Sequence, residues 1–465
     1  MEKNNIYFIG AGGIGMAALE RYFLSRGCNV AGYDRTPSEL TSALEKEGVR
    51  ISFSPDPVEA IPEEFRNPAT TLAVYTPAVA PDFPVLAYFR DNGFELVKRA
   101  ALLGRVTRES FSLCFAGTHG KTTTSSMCAH LLEVSGIGCN AFLGGVLRNY
   151  STNFLLSETS PYSVIEADEY DRSFHHLRPY VAVITATDPD HLDIYGNEEA
   201  YLESFAHFTE LIRPDGFLLL HENLKLKPRA PKSVVTYTYS GDGGGDFHAA
   251  NIRRGSGAIV MDLVTPAGTV RDIALGVPVE VNIDNSVAAL GALWLSGAIT
   301  DFKRFAEVAR KGISSFLGAK RRFEFWLREP GEDGRVIIDD YAHHPEELKA
   351  SINSVRALYP GRKLTVAFQP HLYSRTRDFA KEFAEALSLA DSVILTDLYP
   401  AREEPIEGVS SSIIFDRVEC KDKILIDRHD FVDTIKKRNF DILLTAGAGD
   451  LCNQLPALVE AVSEK

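Results

Sequence analysis

Short apolar runs recur along this chain, each closed by a turn bearing Gly, Asp or Pro, and they alternate with stretches of helical spacing. Residues 6–9 read as a strand, followed by a Gly-rich turn and a helical pattern to about Arg26. Residues 29–33 read as a second strand ending at Asp34, and 72–75 as a third, closed by Thr76-Pro77. That rhythm of strand, helix and strand predicts a parallel sheet. A second unit opens at 111–115 and continues through strands at 162–165, 181–184 and 216–220. From about 233 to 283 the chain turns Gly-rich and β-branched, which predicts an antiparallel accessory sheet, and residues 285–297 read as a buried, Ala-rich helix. A third α/β unit starts near Arg321, with strands expected at 336–340, 363–368, 392–395 and 442–445. No internal repeat of 20–50 residues is visible.

The length, 465 residues, suits about three domains of this kind. The 45% apolar and 24% charged fractions are those of a globular chain and exclude wholesale disorder or a fibrous repeat. A net charge of −14 disfavours nucleic acid and anionic membrane as partners, because both are polyanions. It does not exclude a small anion held by a few local groups. The polar start fits no signal peptide, and no apolar stretch approaches the ~18 residues needed to span a bilayer. Six cysteines without a C-x-x-C pair read as buried thiols of a reducing, cytoplasmic compartment.

Two Gly-rich loops carry the chemistry. Gly10-x-Gly12-x-x-Gly15, with Gly13 inside it, follows a strand and opens a helix, and Asp34 ends the next strand. This is the dinucleotide fingerprint in its proper context. It points to a ligand containing a diphosphate, either a nicotinamide dinucleotide or a nucleotide sugar; the competing reading is a tight turn that binds nothing. Gly117-Thr118-His119-Gly120-Lys121-Thr122-Thr123-Thr124 is a shortened phosphate loop. Its backbone N–H groups would cradle ATP phosphates, Lys121 would neutralise the β and γ oxygens, and a hydroxyl would reach Mg²⁺. Such a G-x-x-G-K-[ST] run arises by chance about 0.02 times per chain. Two acidic clusters stand at strand ends, Glu166-Ala167-Asp168-Glu169 with Asp171, and Asp188-Pro189-Asp190-His191. Carboxylate oxygens suit Mg²⁺, and His191 could serve a second ion. In the third unit, Asp339-Asp340-Tyr341-Ala342-His343-His344-Pro345 and His371 with Tyr373 and Arg375 gather polar, aromatic and basic groups. Such a set suits a small zwitterion or anion.

In this order, and across nearly the whole chain, the motifs resemble the Mur ligases of peptidoglycan synthesis. Gly318-Ala319-Lys320-Arg321-Arg322-Phe323, Phe368-Gln369-Pro370-His371, Thr396-Asp397-Leu398-Tyr399 and Gly447-Ala448-Gly449-Asp450 complete the likeness. The third-unit segments favour the branch that adds alanine. The resemblance implies an α/β enzyme of three domains. Residues 1–107 would be a Rossmann-like UDP-sugar-binding domain, 108–320 a P-loop-type ATPase domain with its accessory β-sheet, and 321–465 a Rossmann-like C-terminal domain that closes over the second. It implies ATP-dependent joining of L-alanine to the lactyl carboxylate of UDP-N-acetylmuramate through an acyl phosphate, with Mg²⁺.

By the same resemblance, Gly12, Gly13 and Gly15 would lie on the diphosphate, with Thr76, Ala78 and Asp34 nearby. Lys121 would grip ATP within the loop from Gly117 to Thr123. Thr122 and Glu166 would hold one Mg²⁺ and His191 a second. Asn282 and Asn285 would read adenine, and Arg322 and Asp340 would complete the ATP site. Tyr341, His343, His371 and Arg375 would surround alanine, with Arg375 on its carboxylate.

The chain departs from the family pattern at Ala186 and Asp188, before His191, and at Val281, where a His is usual. It also has no Lys between positions 122 and 224, so the carbamylated Lys of several sister ligases has no counterpart. Two rival expectations remain: a recycling ligase that adds a tripeptide to the same sugar, and an NAD-dependent oxidoreductase built on the first loop and Asp34.

Overall fold

A computed structural model describes residues 3–76, 79–190, 192–255, 257–331, 333–401 and 403–463. It contains three sheets and divides into two compact units. The first comprises residues 1–250, 262–271 and 284–313, and the second 251–261, 272–283 and 314–465.

In the first unit, the strands β1 (Asn5–Ile9), β2 (Asn29–Tyr33), β3 (Arg50–Ser52), β4 (Thr71–Tyr75) and β5 (Glu95–Lys98) form a parallel sheet in the order β3-β2-β1-β4-β5. Successive side chains point to opposite faces. Ile6, Phe8, Val30, Leu72 and Val74 enter one apolar cluster, and Tyr7, Ile9, Ala31, Tyr33 and Ala73 the other. Burial on both faces explains why residues 6–9 of β1 are apolar throughout instead of alternating. The strand order reverses between β1 and β4, so the turn after β1 stands where an open α/β sheet binds ligands.

The second sheet is built on β6 (Phe111–Ala116), β7 (Asn140–Leu147), β8 (Thr152–Leu155), β9 (Tyr162–Glu166), β10 (Val181–Ile184) and β11 (Phe217–His221). It continues through β12 (Val235–Ser240), β13 (Phe247–Gly255), β14 (Ala258–Thr265) and β15 (Gly268–Ala274). Its order is β15-β14-β13-β12-β11-β10-β6-β9-β7-β8. β6 is flanked by β10 and β9, both parallel to it, so the ends of these three strands lie side by side.

The accessory segment corrects the expectation of a wholly antiparallel sheet. β12 extends the parallel sheet beside β11, and the start of β13 pairs with β12 in the same sense. β13, β14 and β15 follow as neighbours through connections of two residues, which only antiparallel pairs can use. The Ala-rich helix runs from Val281 to Leu295, starting four residues earlier than its apolar pattern suggests.

In the second unit, β16 (Glu324–Arg328), β17 (Val336–Asp340), β18 (Leu364–Phe368), β19 (Ser392–Thr396), β20 (Asp422–Ile426) and β21 (Ile442–Ala446) take the order β16-β17-β21-β18-β19-β20. All pairs are parallel except β16 with β17. β21 inserts between β17 and β18, so the loops leaving these three strands are adjacent.

The cysteines follow the reading only in part. Cys114, Cys128 and Cys139 are buried, whereas Cys28, Cys420 and Cys452 are half-buried because they sit near element ends; all six are free thiols. Among the described residues no helix is long and apolar enough to cross a membrane.

Within the first unit, the helix Arg99–Arg108 packs on the segment after Glu166 through Gly104, where a Cβ would overlap the His176 carbonyl oxygen. Gly104→Ala should therefore destabilise the protein by about 1–3 kcal/mol, read as a lowered midpoint in urea unfolding.

Candidate active site

The turn after β1 is shaped by backbone hydrogen bonds and one carboxylate. The N–H groups of Gly10 and Ala11 both donate to the Tyr33 carbonyl, at 2.8 and 2.9 Å. Gly10 has φ +95°, and a Cβ there would press on the Thr76 side chain. Asp34 Oδ2 accepts the Gly12 N–H at 2.6 Å. Asp34 therefore helps shape the loop from the end of the neighbouring strand. Gly13 caps the helix Ile14–Ser25, whose first turn carries no acidic residue, so its N-terminal N–H groups and positive potential are available to an anion. Over Gly15 lies the Arg99 guanidinium, 2.8 Å from where a Cβ would be. Among the described residues Arg99 makes no hydrogen bond or ion pair. Sequence reading missed Arg99, because it stands 84 positions from Gly15 in an unremarked stretch.

A cavity of about 320 Å³ runs from this loop to the end of β9, lined among others by Gly13, Gly15, Thr76, Arg99, Gly144 and Glu166. It thus joins the first Gly-rich loop to the acidic cluster of the second sheet.

The second loop leaves β6 with Gly117 at φ +141° and Gly120 at φ +82°. A Cβ on Gly117 would meet the Ala186 amide nitrogen at 2.7 Å, so only glycine lets the loop lie against the end of β10. Thr118 is fixed twice: its N–H donates to the Ala186 carbonyl at 3.0 Å and its hydroxyl to the Asp188 carbonyl at 2.7 Å. The His119 carbonyl accepts from the Thr185 hydroxyl. Lys121 Nζ donates to the Gly117 carbonyl at 2.6 Å and to Glu169 Oε1 at 2.8 Å. Thr122 Oγ1 donates to Glu166 Oε1 at 3.0 Å, and the Gly144 N–H donates to Glu166 Oε2 at 2.9 Å. Burial raises the Glu166 carboxyl above the usual range, while the Gly144 N–H and Lys121 pull against that shift. Thr123 is half-buried in the first turn of the helix Lys121–Val134. The next residue, Thr124, donates its hydroxyl to Asn285 Oδ1 at 3.0 Å, which sets Asn285 beside Gly120. Asn282 lies one turn earlier on the helix Val281–Leu295, and its amide donates to the Val277 carbonyl at 3.0 Å.

The acidic cluster after Glu166 separates by role. Asp168 accepts the Tyr170 N–H at 3.0 Å and lines the cavity; Asp171 pairs with Lys98 at the surface; Glu169 is buried against Lys121. Among the described residues no group of three or more His, Cys, Asp or Glu side chains is placed to hold a metal. Ala78 and His191 lie outside the described residues.

The second unit gathers its own set at the ends of β17, β18 and β21. The Tyr341 ring lies under the Arg321 and Arg322 guanidinium groups, at 4.9 and 5.4 Å, and 5.1 Å from the His343 ring. His343 and His371 stand 6.5 Å apart, and His371 stacks on Tyr399. Burial and the nearby Arg375 charge push His371 down to about 4. His343 is also lowered, by burial first, with Glu347 opposing and Arg375 assisting. Among the described residues the Arg375 side chain makes no hydrogen bond or ion pair.

Asp340 accepts from the Ser351 hydroxyl and the Phe323 N–H, and burial raises its carboxyl. His344 does not join the cluster; it caps the helix Pro345–Leu358 and packs on Phe379. Gln369, fully buried, explains the Gln-Pro-His motif: its amide donates to Asp450 Oδ1 and its oxygen accepts the Leu451 N–H, both at 2.9 Å, so it latches the loop after β21.

Residues 5–110 match the description "Mur ligase family, catalytic domain", 115–293 "Mur ligase middle domain" and 321–449 "Mur ligase, glutamate ligase domain". A protein of Phocaeicola vulgatus named UDP-N-acetylmuramate–L-alanine ligase is 54% identical over 462 residues, covering 99% of this chain and 98% of that one. One of the same name from Parabacteroides distasonis is 55% identical over 459 residues, with 99% and 96% covered. Among solved structures, the UDP-N-acetylmuramate–alanine ligase of Thermotoga maritima superposes with a TM-score of 0.76 at 26% identity, over 99% of both chains. A murein peptide ligase of Psychrobacter arcticus shares the fold, with a TM-score of 0.60 at 20% identity over 99% of both chains. With all three domain descriptions matched in order and relatives above half identity along its whole length, this chain belongs to the Mur ligase family.

Proposed function

We propose that the protein is an ATP-dependent ligase that joins L-alanine to the lactyl carboxylate of UDP-N-acetylmuramate, in the cytoplasm, as a step of peptidoglycan precursor synthesis. The carrying observation is the single cavity that links the Gly10–Gly15 loop to Glu166, beside the phosphate loop. A UDP-sugar can place its diphosphate on Gly12, Gly13, Gly15 and the unpaired Arg99, and direct its carboxylate toward Glu166. The domain limits 1–107, 108–320 and 321–465 belong to this reading. The nicotinamide alternative is weakened, because it leaves the phosphate loop without a use.

The chemistry must overcome the low electrophilicity of a carboxylate. A carboxylate oxygen attacks the γ-phosphorus of ATP and ADP departs, leaving an acyl phosphate. Lys121 and the loop N–H groups of residues 117–123 offset the charge that builds on the phosphate oxygens. The Thr122 hydroxyl and Glu166 carboxylate are hard oxygen donors held 3.0 Å apart, a set that fits Mg²⁺; such an ion would supply further charge neutralisation there. Asn285 and Asn282 read adenine in this scheme, and Arg322 and Asp340 complete the ATP contacts.

The alanine ammonium first gives up a proton to solvent; the neutral amine then attacks the acyl carbon, the tetrahedral intermediate loses a second proton to solvent, and inorganic phosphate leaves. Arg375, whose side chain makes no hydrogen bond or ion pair among the described residues, pairs with the alanine carboxylate. Tyr341, His343 and His371 surround the amino end. Both imidazoles are held below their usual range, so at pH 7 they present no positive charge to the incoming ammonium.

Phosphate release should require ATP, Mg²⁺, UDP-N-acetylmuramate and L-alanine together. An amino-acid panel that preferred a tripeptide, or release without any amino acid, would overturn the reading. Lys121→Ala should abolish turnover while calorimetric UDP-sugar binding persists, since that ligand rests on the other loop. Gly144→Ala would place a Cβ 2.5 Å from a Glu166 oxygen. Its turnover should fall at least about tenfold, with the far-ultraviolet circular dichroism of the native fold retained.

A further inference from the structure

Lys121 is not loose at the mouth of its loop. Its ammonium has three protons, and three protein acceptors surround them: the Gly117 carbonyl at 2.6 Å, Glu169 Oε1 at 2.8 Å and the Thr118 carbonyl at 3.4 Å. The Lys121 and Glu169 side chains are 15% and 2% exposed, so this ion pair is nearly shut off from water. Glu169 Oε2 is buried without a hydrogen-bond partner. Lys121 is therefore the chief compensation for this carboxylate, with a smaller contribution from the Glu169 backbone N–H.

Glu169 is also built into the frame that carries the loop. Its carbonyl accepts the Tyr195 hydroxyl at 2.5 Å. The Tyr195 ring packs edge-on to Tyr201 at 4.8 Å, and the Tyr201 hydroxyl lies 2.9 Å from Thr118 Oγ1 in the loop itself. Lysine and carboxylate thus share one scaffold.

A buried carboxylate deprived of its only cation is strongly disfavoured. If Lys121 swung away to follow an arriving phosphate, Glu169 would be left in that state. The favourable course is for Lys121 to keep Glu169 and release a loop carbonyl, so that the phosphate comes to a fixed ammonium. We infer that Glu169 is a positioning residue for Lys121: it fixes where the ammonium stands when the β and γ phosphates of ATP arrive. The inference rests on the ATP-dependent reading above and adds to it a residue that acts through Lys121 and not by touching any of the three substrates.

The test uses the full-length chain with Glu169→Ala and Glu169→Gln, titrated with ATP and with AMP and assayed for phosphate release. AMP lacks the phosphates that Lys121 meets, so loss of positioning weakens ATP binding alone. A merely structural defect weakens both nucleotides. Glu169→Ala should lower ATP affinity relative to AMP, and kcat, each by about tenfold or more. Glu169→Gln, which keeps an oxygen acceptor but not the charge, should lose less in the same direction. UDP-sugar affinity should stay within about twofold, the fold being intact. Unchanged ATP-to-AMP selectivity, or tighter ATP binding in the variants, would overturn the inference; if the Ala variant does not fold, the Gln variant decides. ATP binding and turnover by the unaltered chain stand as the separate check on the ligase reading.

Discussion

The Glu166 carboxylate, at the last residue of β9, ties the catalytic half of the first unit together. It receives the Thr122 hydroxyl from the helix after the phosphate loop and the Gly144 N–H from β7. A carboxylate is costly to bury, and its raised pKa records that cost. The two hydrogen bonds offset part of it and also fix the approach of three elements. Because Glu166 lines the same cavity as Gly13, Gly15 and Arg99, its position sets where that cavity ends. Gly144 has to be glycine for the same reason: a side chain there would displace the carboxylate.

The electrostatics run against the whole-chain charge of −14. In the proposed function anions would be met by local arrangements: helix N-termini, backbone N–H groups in two glycine turns, Lys121, and the guanidinium groups of Arg99 and Arg375, which make no hydrogen bond or ion pair among the described residues. Field from distant surface carboxylates is screened within about 10 Å at ordinary ionic strength. Contacts at hydrogen-bonding distance inside a cleft therefore prevail over net charge. The second unit uses a related device, in which burial first and the Arg375 charge next lower the pKa of His371 and, against the opposing Glu347, of His343.

Much of the fold was legible because parallel strands buried on both faces form uninterrupted apolar runs. β1, β2, β4, β6, β10 and β17 all lie where those runs stand. The short or half-exposed strands β3, β5, β16 and β20 escaped, since their residues are too few or too polar to mark a period, and so did β7 and β8, where Gly144-Gly145 and Asn153 interrupt the apolar run. The sense of the accessory strands was misjudged because strand direction depends on the neighbour, and β12 found a parallel partner in β11.

Sequence by itself marked the candidates: two glycine turns, Lys121, Thr122, Glu166 and the His–Arg group of the third α/β unit. These follow from spacing, since a turn that cradles phosphate needs glycines and a lysine within a few residues of one another. Tertiary structure alone decided the partnerships. Arg99 meets Gly15, Glu169 meets Lys121 and Gln369 meets Asp450 across separations of 84, 48 and 81 positions. It also decided that Asp34 supports a loop and that His344 caps a helix. Short-range spacing is written in the order of residues, whereas a pairing across a sheet or between a loop and a distant helix arises only when packing brings the two together.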